Sequence, residues 1–149
     1  MSATDSNLTA MLAEVKAEIA RTDTKTGLLL AFVGAVLAGA WSVARDLPLN
    51  LAAYITGGLG LAVLVTAAGL LLRSTRPNLR GRHGFPHWAT LTTDQVATTA
   101  ASRDLSADVA GLSRLAVAKF AHLRRAIDLT FAGGALLILA ALLALGGAA

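Results

Sequence analysis

The sequence predicts an all-α integral membrane protein with three transmembrane helices, and three observations carry that reading. The chain has 149 residues, of which 55% are hydrophobic and 15% charged, too apolar a balance for a water-soluble domain of this size. Its apolar residues, mainly Ala, Leu, Val and Gly, come in blocks rather than in alternation with polar ones. Three of those blocks approach the roughly 20 residues that a helix needs to cross the hydrocarbon of a bilayer.

The first block covers residues 27–44, "GLLLAFVGAVLAGAWSVA". A cleaved leader does not suit it, because the residues before it are amphipathic and carry both signs of charge. The second covers 51–72, "LAAYITGGLGLAVLVTAAGLLL". The third covers 126–146, "AIDLTFAGGALLILAALLALG", with Asp128 near its start. A buried helix of a soluble protein would be shorter and apolar on one side only. The chain therefore divides into an amphipathic helix (1–26), a transmembrane hairpin (27–72), a basic loop-and-helix segment (73–125) and a third span (126–149).

Orientation follows from the cations. Arg73, Arg76, Arg80, Arg82, Arg103, Arg114, Lys119, Arg124 and Arg125 all lie between the second and third spans. The turn between the first two spans has only Arg45, beside Asp46. Positive residues stay on the cytoplasmic side, so the N-terminus and the 73–125 segment are expected there and the C-terminus outside. Trp41, Pro48 and Tyr54 near the short turn suit the outer interface. The net charge of +4 belongs mostly to the cytoplasmic segment, and no nucleic-acid partner is expected.

Both polar extensions read as helices. Leu8, Leu12, Val15, Ile19 and Thr22 recur at steps of three and four, after the capping types Ser6 and Asn7. Leu105, Val109, Leu112, Ala116, Phe120 and Leu123 form a second stripe of the same period. Each extension runs into its span without a proline, so the first and third helices are expected to be long, parallel and paired through their stripes.

Charges gather where those two helices enter the membrane, in "RTDTK" (Arg21, Asp23, Lys25) and "HLRRAID" (Arg124, Arg125, Asp128). Arginine and lysine at span ends can simply reach the headgroups. Asp23 and Asp128 are different, because an acid at the edge of hydrocarbon costs a few kcal/mol unless it has a partner. Counting from each membrane entry places Asp23 opposite Arg124 or Arg125, and Lys25 opposite Asp128. Arg21, Asp23, Lys25 and Asp128 are thus candidates for a latch.

The linker "RPNLRGRHGFPHWATLTTDQ" begins as loop, with Pro77, Gly81, Gly84 and Pro86. Thr92 and Gln95 have the spacing of a capping box for a short helix ending near Ser102. Arg80, Arg82, His83, Phe85, His87 and Trp88 bring cations beside aromatics. Such a set can hold a phosphate and stack a base, or anchor the loop in anionic headgroups. Lys119, Arg124 and Arg125 are further candidates for holding an anion. No metal site is expected, since His83 and His87 have no Cys or acidic partner nearby. The chain has no cysteine, and it carries no phosphate-binding glycine loop, nucleophile elbow or HExxH motif, so no catalysis is expected. Gly34/Ala38, Ala35/Gly39 and Gly58/Ala62 have the small-xxx-small spacing that lets helices approach, which permits self-association.

Three stretches together carry a resemblance. "EIARTDTKTGLLLAFVGAVLAG" before and in the first span, "RPNL" after the second, and "LSRLAVAKFAHLRRA" before the third look like the transmembrane effectors of Pycsar antiphage systems. The resemblance spans nearly the whole chain. It implies an inner-membrane protein activated by cyclic CMP or cyclic UMP, the product of a partner pyrimidine nucleotide cyclase. It implies further that the activated effector, acting on the lipid bilayer and self-associating, impairs the membrane and causes abortive infection. Similar actinobacterial proteins are also described as integral membrane plasmid transfer proteins, which implies a second reading without a nucleotide ligand.

Overall fold

The computed structural model describes residues 3–46, 50–76, 85–102 and 104–146. These form five helices: α1 (Ala3–Asp46), α2 (Leu51–Thr75), α3 (Phe85–Trp88), α4 (Thr93–Ala101) and α5 (Leu105–Gly146). There is no strand among them. α1, α2 and α5 are each long and apolar enough to cross a membrane. The expected fold class is therefore observed.

α1 has 44 residues and α5 has 42, about 66 and 63 Å at 1.5 Å per residue. Nothing interrupts either one: Gly27, Gly34 and Gly39 stand inside α1 without ending it. α2 has 25 residues, about 37 Å. α1 and α5 therefore each continue well beyond the length a span requires.

Cross-helix contacts fix the directions. Asp23 meets Lys119, Leu29 and Leu30 pack near Leu123 and Ala126, and Phe32 and Val36 share a groove with Thr130 and Gly134. Rising numbers meet rising numbers, so α1 and α5 are parallel. Asn50 meets Leu143, Gly57 meets Ala140, Gly60 meets Gly133, and Leu71 packs near Leu123. α2 is therefore antiparallel to both.

The tightest crossing is between α2 and α5. A Cβ on Gly133 would stand 2.7 Å from Leu64 Cγ and 3.1 Å from the Gly60 carbonyl oxygen. A Cβ on Gly60 would likewise stand 3.1 Å from the Gly133 carbonyl oxygen. Only hydrogen at both positions lets the backbones come this close. In lipid, close van der Waals packing of this kind takes over the part that hydrophobic burial plays in water. Leu64, Ala67, Leu71 and Ala126 are buried along the same seam. The pairs singled out by small-xxx-small spacing lie elsewhere: Gly34, Gly39 and Gly58 would each accept a Cβ with nothing within 4 Å.

The turn end of the bundle is pinned by Asn50. Its Oδ1 accepts from the Ala53 N–H at 2.8 Å, capping α2. Its Nδ2 donates to the Leu143 carbonyl at 2.7 Å. One side chain thus satisfies a free donor at the start of α2 and a carbonyl in the last turn of α5. Within the spans, the hydroxyls of Thr56, Thr66 and Thr130 donate to the carbonyl four residues earlier, so none demands a partner from lipid.

Between α2 and α5 lie two short helices. α3 is a single turn in a stretch the sequence reads as loop, and Pro86 tolerates its first turn because no N–H is used there. α4 has the expected capping box: the Gln95 N–H donates to the Thr92 hydroxyl, and the Thr92 N–H donates to Gln95 Oε1 at 2.9 Å.

Candidate functional site

Where α2 ends, α1 and α5 continue together, and the charged layer lies at this transition. "RTDTKT" on α1 distributes its residues by helical phase. Thr22 and Thr26 point inward and are 1% exposed. Their hydroxyls donate to the carbonyls of Glu18 and Thr22 at 2.9 and 2.8 Å, so they are buried at no cost in unmet hydrogen bonds. Just above them Leu71, Leu123 and Ala126 form an apolar plug from α2 and α5, with Leu29, Leu30 and Leu70 packed against it.

Asp23 lies at the margin of this inward face and meets Lys119 of α5. The Lys119 ammonium donates to Oδ1 at 2.6 Å and to Oδ2 at 2.9 Å. The lysine side chain is 20% exposed and the aspartate 44%. This is a forked, half-shielded ion pair between residues 96 positions apart, stronger than a fully exposed pair but still open to screening by salt.

The remaining charges are arranged differently from the expected latch. Asp23 takes Lys119 and not Arg124 or Arg125, both of which are exposed on α5. Arg21 turns back along its own helix to Glu18, at 2.9 Å. Lys25 and Asp128 are both exposed, and among the described residues no ion pair joins them. The physical reason is axial offset. Residue 23 stands level with about residue 119, so Asp128 lies several residues deeper than Lys25, and Lys119, already on the inward face, is nearer to Asp23.

A second feature stands at the start of α5. His87, Trp88, Val96, Thr99, Ser102, Asp104 and Asp108 line a groove of about 410 Å³ between α3, α4 and α5. Asp104 caps α5: its Oδ1 accepts from the Ser106 hydroxyl at 2.6 Å and from the N–H groups of Ser106 and Ala107 at 2.9 and 3.1 Å. The Ser106 hydroxyl first, then the Ala107 N–H, holds its carboxyl below the usual range. Trp88 is 43% exposed and lines this groove. Arg80 and Arg82, read from sequence beside Trp88, lie outside the described residues, as do His83 and Arg103.

The sequence marks Lys119 as a candidate anion ligand, and the structure makes it the partner of Asp23. Its phase in the stripe between Ala116 and Leu123 was the available signal, since a lysine on an inward face needs an acid nearby. Asn50 is a further residue outside the set that the sequence singles out, although an asparagine directly before an apolar run is a capping signal. Gly60 and Gly133 had no signal that set them apart from neighbouring glycines.

Comparison with known proteins gives one family. The family model for the Pycsar effector protein domain matches residues 7–146, which takes in both long helices, α2 and the segment between. No curated protein and no solved structure matches the chain.

Proposed function

The chain belongs to the Pycsar effector family, and from that premise we propose that it is an inner-membrane antiphage effector without catalytic activity. In this reading it answers cyclic CMP or cyclic UMP by impairing the membrane, so that an infected cell dies before the virus spreads. The family match is the observation that carries the proposal. Three apolar helices agree with a multi-pass membrane protein. In the orientation argued from the arginines, the Asp23–Lys119 layer and the His87–Trp88 groove face the cytoplasm, where a cyclase product accumulates.

The groove of about 410 Å³ is within the range of small-molecule sites. A pyrimidine base would stack on Trp88, while the single negative charge of the cyclic phosphodiester would need a cation, for which Arg80 and Arg82 are the nearest in sequence. A ligand can drive switching only by binding one arrangement of the helices more tightly than another. The groove joins α3 and α4 to the first turn of α5, so occupancy can bias the position of α5 against α1, which the Asp23–Lys119 pair opposes.

The test is co-expression with a pyrimidine cyclase while membrane potential is recorded. Depolarisation that requires both the cyclase and this chain is expected. Depolarisation with an inactive cyclase, or none with an active one, would overturn the nucleotide reading and favour the plasmid-transfer reading. Topology is tested separately: a reporter active only outside the cytoplasm should work after Ala149 and fail at Gly81.

A further inference from the structure

Between Lys25 and Arg73 the chain has a single cation, Arg45. It stands in the last turn of α1, and its guanidinium lies over the Trp41 ring, 5.1 Å from the centroid, within cation–π range. Among the described residues no ion pair reaches it, although Asp46 is its neighbour in the chain. The stacking holds the charge in place without neutralising it.

Trp41 also lines a groove of about 390 Å³ that separates the end of α1 from the start of α2. α1 adds Gly39, α2 adds Tyr54, Gly58 and Leu61, and α5 adds Leu137, and no lining residue is charged. From Ala53 to Leu61 the groove follows α2 for about 12 Å. That is most of the roughly 15 Å of hydrocarbon in one leaflet. The volume spread over this length gives a cross-section of about 30 Å². A helix roughly 10 Å across needs about 80 Å², so the groove is too narrow for a helix of another copy and suits an extended acyl chain. Trp41 and Tyr54 lie at its mouth, at the level where aromatic residues meet headgroups.

We propose that this groove holds one acyl chain of an anionic phospholipid, with the lipid phosphate bound by Arg45. The guanidinium matches a phosphate in charge and in the geometry of its paired donors. The apolar walls fix where the chain lies, and the stacked Arg45 fixes where the headgroup lies. A bound lipid fills the gap between α1 and the α2–α5 pair, so it becomes part of the packing of α1. The site is independent of any nucleotide ligand and of the proposed effector reading.

The two tryptophans of the chain provide the probe. With Trp88→Phe, Trp41 is the sole indole, and it stands in the groove. The full chain is placed in vesicles of phosphatidylcholine with a minority of phosphatidylglycerol, with one lipid or the other brominated in the upper part of its acyl chain. Brominated phosphatidylglycerol should quench Trp41 as though enriched about fivefold over its share of the lipid, the preference that one arginine gives beside an anionic headgroup. Arg45→Gln should return quenching to that share. Gly58→Leu and Gly39→Leu should do the same with every charge intact, because they fill the groove from opposite walls where an added Cβ meets nothing within 4 Å. Gly34→Leu, outside the groove and equally free of contacts, should keep the preference and controls for folding. Quenching that follows the bulk share in the original chain would overturn the site. A preference that survives both groove-filling variants would reduce it to general attraction of lipid to a surface charge, and would overturn it too. Weak quenching by both lipids would place a second copy over Trp41 and refute a lipid occupant.

Discussion

The α2–α5 pair and α1 are built on different terms. α2 and α5 cross at Gly60 and Gly133 with backbone oxygens 3.1 Å from where a Cβ would stand, and Asn50 fastens the start of α2 to the Leu143 carbonyl. α1 has no such crossing. In its most apolar window 6% of residues are buried inside the chain, against 22% in α2 and in α5. Grooves of about 390 and 360 Å³ lie along it, one reaching Trp41, Tyr54 and Gly57 and the other lined by Phe32, Val36, Phe131 and Gly134. Among the described residues, the polar link between α1 and α5 is the half-exposed Asp23–Lys119 pair. A frame and a loosely attached arm are what a two-state membrane switch needs: one part holds its shape while the other has room to change partners.

The comparison is broken most strongly at the glycine crossing. Gly133→Val should destabilise the chain by about 3 kcal/mol or more, because the added carbons meet Leu64 and the α2 backbone with nowhere to move. Gly34→Val on α1, where nothing lies within 4 Å, should leave the monomer's stability nearly unchanged. Thermal unfolding of both variants in the same detergent measures the contrast. Equal losses would mean that α1 is packed as tightly as α2.

Asn50→Ala should have the next largest effect. It removes the cap of α2 and the bond to Leu143 together, a loss of about 1–2 kcal/mol. Hydrogen exchange should rise at the first turn of α2 and the last turn of α5 and stay unchanged around Asp23. Exchange rising equally at both ends would show that the turn and the charged layer form one cooperative unit.

A smaller change in stability is expected at the charged layer. Asp23→Asn and Lys119→Gln should each cost about 1 kcal/mol or less, and the double variant should cost less than the two losses added. The functional readout is the more telling one: if α1 is the moving arm, the single variants should depolarise cells before any cyclase is present. Unchanged resting potential in both would remove the pair from the switch.

The smallest effect concerns acid. The carboxyl of Asp104 is held below its ordinary range chiefly by the Ser106 hydroxyl. Its contribution is therefore present above the ordinary carboxylate range and is lost as pH falls through the lowered folded value. Amide exchange at Ser106 and Ala107 should quicken on acidification, and Asp104→Asn should flatten that dependence. An unchanged slope in the variant would assign the acid response to another group.

Parts of this picture were legible in the sequence because they rest on local rules. The blocks that became α1, α2 and the second half of α5 were set by length and apolarity, and the stripe through Leu12 and Thr22 by a period of 3.6. The Thr92–Gln95 box acts over three residues, so its spacing alone predicts it. The latch was only half legible. "RTDTK" marked the layer, but periodicity gives the face of a residue and not the axial offset between two helices. That offset brought Lys119 to Asp23 and left Asp128 outside.

By itself, then, the sequence determined that this chain makes three apolar helices with polar helical extensions. Those outcomes follow from each segment's own contest between lipid, water and backbone hydrogen bonding. The tertiary structure decided the rest: that Gly60 and Gly133, rather than Gly58 or Gly34, carry the crossing; that Asn50 reaches a carbonyl 93 residues away; and that α1 is the loosest member. Chemically equivalent glycines and lysines recur along the chain, and only the sliding and rotation of whole helices against one another selects among them.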